Sequence, residues 1–233
     1  MLVPALIVGG VAWLAGRAVL MVVRKPRLQQ YWQQEMQRQP GANAVRLVVF
    51  GDSLSQGVGA SRPQNSFVAK MADYIATQTG RRVHVANYSQ SGAVTGDVLQ
   101  RQLPQANLKQ ADIILLEIGT NDSNRLWRDD QQFIANVTQL IEKLPAEKTV
   151  IADLPYPQFR RGYQPIVARL LANQKVARVY PSRMFDKFFH QIHLTAGDFW
   201  HPNDKGYKLW FEIFRPGVDE VLKRRHLLKS KSK

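Results

Sequence analysis

From residue 45 onward, short apolar runs alternate with stretches whose apolar positions recur at helical spacing. Leu47-Val48-Val49-Phe50 reads as a strand that stops at Gly51, and Val83-His84-Val85-Ala86-Asn87-Tyr88 as a second. The run Asp112-Ile113-Ile114-Leu115-Leu116-Glu117-Ile118 is almost unbroken, as a central parallel strand covered on both faces requires. Thr149-Val150-Ile151-Ala152-Asp153 and Val176-Ala177-Arg178-Val179-Tyr180 complete the set. Between them, residues 66–79 place Phe67, Met71, Tyr74 and Ile75 on one helical face. Residues 131–144 do the same with Phe133, Ile134, Val137, Leu140 and Ile141. Shorter helical patterns cover 95–103 and 166–172, and a long one covers 204–222. This alternation predicts an α/β domain with a parallel sheet of about five strands and helices on both faces.

In such sheets ligands bind beyond the carboxyl ends of the strands. The first strand ends in Gly51-Asp52-Ser53, the second runs into Ser89-Gln90-Ser91-Gly92, and the central one ends in Gly119-Thr120-Asn121-Asp122. Three polar, glycine-containing turns are thus expected on one edge.

The residue types at that edge point to acyl chemistry. A serine hydroxyl needs a base to take its proton, and the base needs an orienting acid. Ser53 supplies the hydroxyl, and Asp198-Phe199-Trp200-His201 supplies an acid and an imidazole on one turn before the last helix. Donors for the resulting oxyanion are the backbone N–H of Ser53, the backbone N–H of Gly92 and the side-chain amide of Asn121. Asp52 and Asp122 read as structural, bonding loop amides at the sheet edge.

Gly51-Asp52-Ser53-Leu54, Gly92, Gly119-Thr120-Asn121-Asp122 and Asp198-Phe199-Trp200-His201 together resemble, in order, the signature blocks of the GDSL/SGNH hydrolase family. The resemblance implies a flavodoxin-like three-layer α/β/α sandwich. It also implies that Ser53, Gly92, Asn121 and His201 are the signature residues, with Asp198 completing the triad, and that no cofactor is used. The family hydrolyses esters and thioesters of lipids, lysophospholipids, acetylated sugars and other small acyl compounds. The run is not the nucleophile elbow of α/β-hydrolases, because Ser55 stands where that motif has its last glycine.

The remainder of the chain changes the picture in one respect. Residues 1–23 are almost wholly apolar, with Arg17 as the one charge, and about 20 such residues cross a bilayer. The basic n-region and small-residue cleavage site of a signal peptide are missing. The expected organisation is an N-terminal transmembrane anchor at 1–23, a polar spacer at 24–44, the hydrolase domain at 45–226 and a basic tail at 227–233. The nearby positive charge follows the span, which favours a cytoplasmic body.

The net charge is +14, with 32 Lys and Arg against 18 Asp and Glu. An anionic membrane surface is the expected partner, and no base-reading motif supports specific nucleic-acid binding. With no cysteine, thiol chemistry is excluded. His190 and His193 lack the carboxylates of a metal site, and Gly57-Val58-Gly59 lacks the remainder of a phosphate-binding or dinucleotide loop. The expected function is a membrane-anchored serine esterase acting on a small-molecule or lipid ester. A lysophospholipid-like substrate is suggested by Leu126, Trp127, Phe199 and Trp200 near the site. The alternatives are an O-acetyl esterase for acetylated envelope sugars and a catalytically silent binding module.

Overall fold

The computed structural model describes residues 26–124, 129–153, 169–172, 175–181 and 192–229. The anchor expected over 1–23 lies outside them. Among the described residues no helix is long and apolar enough to cross a membrane.

Five strands form one parallel sheet: β1 (Val45–Gly51), β2 (Val83–Asn87), β3 (Ile113–Glu117), β4 (Thr149–Ala152) and β5 (Ala177–Val179). Their order is β2-β1-β3-β4-β5. The chain leaves β1 toward one side and returns on the other, so its direction switches between β1 and β3. That is the position where such sheets open a crevice.

Side chains alternate across the strands and feed two cores. Leu47 and Val49 of β1 join Leu115 of β3 under one layer of helices, α3 (Phe67–Thr79) and α7 (Asp204–Arg224). Val48 and Phe50 join Ile114 and Leu116 under α6 (Asp130–Lys143) on the other face. Phe67, Trp210 and Phe214 stack in the first core with ring centroids 4.9–6.3 Å apart. Burying each such side chain contributes about 1.5–3 kcal/mol.

One element differs from the sequence expectation. The helix expected over 95–103 is helical only as α4 (Thr95–Asp97), then widens into a π-turn at Val98–Gln102 and tightens to a 3-10 turn at Leu103–Gln105. Pro104 lacks the N–H that a regular helix needs at that position. The irregular turn carries the buried Gln102, whose Nε2 donates to the Gly51 carbonyl at 2.8 Å and whose Oε1 accepts the Gly51 N–H at 3.0 Å. A side chain thus ties down both backbone groups at the end of β1.

Within the polar spacer expected at 24–44, residues 26–37 form a helix, α1, docked on the domain. Leu28 and Trp32, one turn apart, are buried, and Trp32 Nε1 donates to the Gln56 carbonyl at 2.9 Å. A buried stripe this narrow is diluted by the surrounding glutamines, so composition alone reads as polar linker. His84 of β2 meets the Met36 carbonyl at 3.3 Å, tying the helix to the sheet edge.

Of the helix expected at 166–172, only 169–172 are described, and 169–171 are helical. Of the tail, 227–229 are described, and the Lys229 N–H donates to the Gln78 carbonyl at 3.0 Å.

Candidate active site

Where β1 ends, Asp52 caps the short helix α2 (Ser53–Gln56), its Oδ1 accepting the Leu54 N–H at 2.9 Å. Ser53 is therefore the first helical residue, and its own N–H belongs to the set that a helix start leaves unpaired. Its side chain lies at the mouth of the switch-point crevice and is nearly buried.

The Asp198–His201 turn closes over it. His201 Nε2 lies 2.9 Å from Ser53 Oγ, and His201 Nδ1 lies 2.5 Å from Asp198 Oδ2. A carboxylate only accepts, so Nδ1 carries the proton and Nε2 is free to accept from the serine hydroxyl. Asp198 Oδ1 also accepts the backbone N–H groups of Trp200 and His201, both at 3.0 Å. Partial burial pushes the Asp198 carboxyl up, but the His201 ring and these two N–H groups outweigh it and hold the group at about 2.

Side chains outside the expected set fasten this turn. Asn203 Nδ2 donates to the carbonyls of His193 at 2.7 Å and Thr195 at 2.9 Å, while its Oδ1 caps α7 through the N–H groups of Lys205 and Gly206. Asp204 accepts from the Ser61 N–H, the Ser61 hydroxyl and Asn65 Nδ2, bolting the start of α7 to the segment after α2. Gly59, at φ +101°, lets that segment pass under the histidine turn. A Cβ there would sit 2.3 Å from the Pro202 carbonyl oxygen and 3.0 Å from His201 Cβ. The Gly57-Val58-Gly59 run thus has a packing role.

The candidate oxyanion donors lie on the other two turns. Gly92, at φ +82°, follows β2 in a left-handed conformation that favours glycine, with open space where a side chain would project. Asn121 lies on α5 (Thr120–Asn124) at the end of β3. Both of its amide hydrogens are engaged, one by Asp52 Oδ2 at 3.1 Å and the other by the Ala93 carbonyl at 2.9 Å. Asp122 accepts the Thr95 N–H and hydroxyl, pinning the loop that carries Gly92.

Beneath Ser53 lies a residue that the sequence reading left inside a strand. Glu117, the last residue of β3, is wholly buried and pairs in register with Gly51. Its side chain lies beside that of Asp52, the residue after its register partner Gly51, and Ser55 Oγ donates to Oε2 at 3.4 Å. Burial, then the neighbouring Asp52 charge, pushes Glu117 well above the usual carboxylate range. Burial likewise pushes Asp52 up to about 6, against the Leu54 N–H and the His201 ring, which pull it down. The hint in sequence is an acid set between Leu116 and Ile118 in an apolar run.

Around the catalytic edge, Phe199 and Trp200 are exposed at 43% and 46%. Leu126 and Trp127, grouped with them by sequence, lie outside the described residues, as does His190. A neighbouring cleft between α1 and the end of β2 is lined by the uncharged amides of Gln29, Gln33, Gln56, Asn87, Gln90 and Gln105. Among the described residues no group of three His, Cys, Asp or Glu side chains is disposed to hold a metal ion.

The fold recurs in solved structures at low sequence identity. A lipase/acylhydrolase from Enterococcus faecalis aligns with a TM-score of 0.65 at 21% identity, covering 81% of this chain and all (100%) of that one. The psychrotrophic esterase EstA from Pseudoalteromonas sp. aligns at 0.62 with 20% identity, covering 76% and 98%. The acetylxylan esterase Axe2 from Geobacillus stearothermophilus aligns at 0.58 with 16% identity, covering 82% and 99%. No curated protein matches the sequence. The family model for GDSL-like Lipase/Acylhydrolase matches residues 49–209, a span running from β1 into α7 and including Ser53, Gly92, Asn121, Asp198 and His201. The chain belongs to the GDSL-like lipase/acylhydrolase family and is a carboxylic ester hydrolase.

Proposed function

We propose that this protein hydrolyses a lipid-derived ester through an acyl-enzyme formed on Ser53. The observation that carries the reading is the continuous relay from Ser53 Oγ through His201 to Asp198, at 2.9 and 2.5 Å. As Ser53 Oγ attacks the ester carbonyl, its proton passes to His201 Nε2, and Asp198 steadies the imidazolium through Nδ1. The C–O bond to the alcohol then breaks, and His201 returns the proton to the leaving alkoxide. Water, deprotonated by His201, attacks the acyl-enzyme and releases the acid and free Ser53.

The oxyanion is held by the N–H groups of Ser53 and Gly92 and by Asn121. The Asn121 N–H that now donates to the neutral Ala93 carbonyl donates instead to the oxyanion, since a charged acceptor makes a bond about twice as strong.

Two observations support a lipid substrate at a membrane. Phe199 and Trp200 stand exposed on the catalytic turn. Leu28 near the start of α1 packs on Val58 and Ala196, which follow Ser53 and precede His201. The apolar segment 1–23 ends five positions before Leu28 in sequence and would, through α1, hold that edge close to the bilayer. A second reading, deacetylation of a sugar, is favoured by the amide-lined cleft, because neutral donor–acceptor groups suit hydroxyl-rich ligands. Axe2 and another structural neighbour, an esterase active on acetylated mannans, point the same way.

EstA is inhibited by monoethylphosphonate, and a fluorophosphonate probe makes the corresponding test here. The full chain in lipid vesicles is expected to be labelled, with labelling and ester hydrolysis abolished in Ser53→Ala. Hydrolysis of lysophospholipids and long-chain p-nitrophenyl esters is expected to exceed that of acetylated oligosaccharides. The reverse preference overturns the lipid reading in favour of the sugar, and an unlabelled wild type overturns catalysis altogether.

A further inference from the structure

We propose that Asp52 and Glu117 form a buried carboxyl pair sharing one proton, and that this pair positions the Asn121 amide for the oxyanion. The inference rests on the Ser53 reading above and deepens it.

Alternation along β3 puts Glu117 on the same face as Ile113 and Leu115, both of which lie in the first core. An apolar side chain is what that position ordinarily holds. Instead a carboxyl sits there with no exposure, in register with Gly51 and so beside the equally buried Asp52. Among the described residues no Lys or Arg forms an ion pair with either acid, although the chain carries a net charge of +14. Two buried carboxyls in contact do not both ionise, so the pair keeps a proton.

The hydrogen bonds say which partner keeps it. Asp52 accepts two N–H donors, from Leu54 at 2.9 Å and Asn121 at 3.1 Å, and such donors favour the charged form. Glu117 has only the Ser55 hydroxyl at 3.4 Å, and its buried Oε1 meets no N–H or O–H donor among the described residues. Glu117 is therefore the neutral acid, its O–H donating to the Asp52 carboxylate. The directions of both shifts agree with this division. The groups facing the pair are His201 from the catalytic turn, Asp122 from α5, and Tyr207 from α7, whose hydroxyl donates to the Val58 carbonyl. Asp198 lies farther along the same field. Of these only His201 can carry a positive charge.

A primary amide has two hydrogens and can turn over. The Asp52 carboxylate takes one Asn121 hydrogen and so selects the orientation, leaving the other at the relatively weak Ala93 acceptor, from which an oxyanion recruits it. Glu117 keeps the Asp52 charge in place by donating to it. A pair that served stability alone would gain nothing over well-packed apolar residues.

The test uses Asp52→Asn, Glu117→Leu and Glu117→Gln in the full chain, with Ser53→Ala as control. Asp52→Asn and Glu117→Leu are expected to lower kcat by about 10- to 100-fold, less than the roughly 100- to 1000-fold cost of deleting an oxyanion donor outright, with KM changed less than about twofold. Glu117→Gln, whose amide can still donate to Asp52, is expected to recover most of that loss. Wild-type kcat in Glu117→Leu, or equal losses in Glu117→Leu and Glu117→Gln, overturns the proposal. Infrared spectroscopy of the wild type provides a check that needs no folded variant. A protonated-carboxyl band should persist at neutral pH, and its absence there overturns the proposal. An active Ser53→Ala would instead sink the nucleophile assignment. An inactive Ser53→Ala with fully active Asp52→Asn and Glu117→Leu sinks the carboxyl pair alone.

Discussion

The serine and histidine ends of the central hydrogen bond are supported in different ways. Ser53 and Asp52 sit at the carboxyl end of β1, between β2 and β3, with Glu117 below and Gln102 holding the strand end. Asp198, Phe199 and Trp200 are exposed, and their turn is anchored by a single antiparallel bridge, Thr195 to Pro202, and by the side chains of Asn203 and Asp204. The two aspartates record the contrast. Asp52 is driven up to about 6 because burial dominates, whereas Asp198 is held at about 2 because hydrogen bonds overcome its partial burial. The nucleophile is thus placed by sheet topology and the base by local polar bonding. The first half resists displacement, and the second depends on a few replaceable contacts.

The largest test of this contrast is Asp198→Asn. An amide in place of the carboxylate favours the wrong imidazole tautomer, and a loss of about 10³- to 10⁴-fold in kcat is expected. The unfolding midpoint at neutral pH should fall only modestly, because Asn Oδ1 can still accept the two backbone N–H groups while the carboxylate's interaction with His201 is lost. A kcat within tenfold of wild type would show that Asp198 does not orient His201. Next comes Asn203→Ala, which removes a helix cap and two carbonyl tethers at once. Denaturant unfolding should show a loss of about 1–2 kcal/mol, with a fall in kcat as His201 loses its fixed position. Unchanged kcat at that loss of stability would mean that the turn is held by the sheet after all.

The smallest effect concerns pH. Asp52 has a raised folded value, so its contribution to stability is full below the ordinary aspartate value of 3.8 and is lost as pH rises through about 6. Asp198 has a lowered value, so its contribution is full above that ordinary value and is lost only as pH falls through about 2. From about pH 7 to about pH 5, wild-type stability measured against Asp52→Asn should therefore rise by about 1 kcal/mol. Measured against Asp198→Asn over the same range it should stay flat. A flat Asp52 difference would remove the electrostatic distinction between the two halves.

Much of this was readable along the chain, for a local reason. A buried parallel strand needs a continuous apolar run, and a turn at its end needs small or polar residues, so the alternation of the two located β1 to β5 and the turns with Ser53, Gly92 and Asn121. Features that depend on contact between distant residues were hidden. Glu117 reads as one residue within the strand at 112–118, because nothing nearby in sequence reveals that Gly51 and Asp52 lie beside it. The helix at 26–37 looked like a linker because only Leu28 and Trp32 among its glutamines are buried. Gly59 belongs to a Gly57-Val58-Gly59 run that matches no phosphate-binding or dinucleotide loop, and its approach to the Pro202 carbonyl exists only in the folded chain.

The sequence by itself determined the strand and helix pattern, the set of polar residues at the strand ends, and the resemblance that the family match established over 49–209. These are properties of short segments, whose periodicity and turn chemistry act within a few residues. Only the tertiary structure decided that Ser53 and His201 meet across 148 positions of chain, that Asn121 is held by Asp52, and that the buried Glu117 lies beneath them. Those outcomes follow from strand order and from burial, which moves charges out of water and makes their pairing a property of the whole fold.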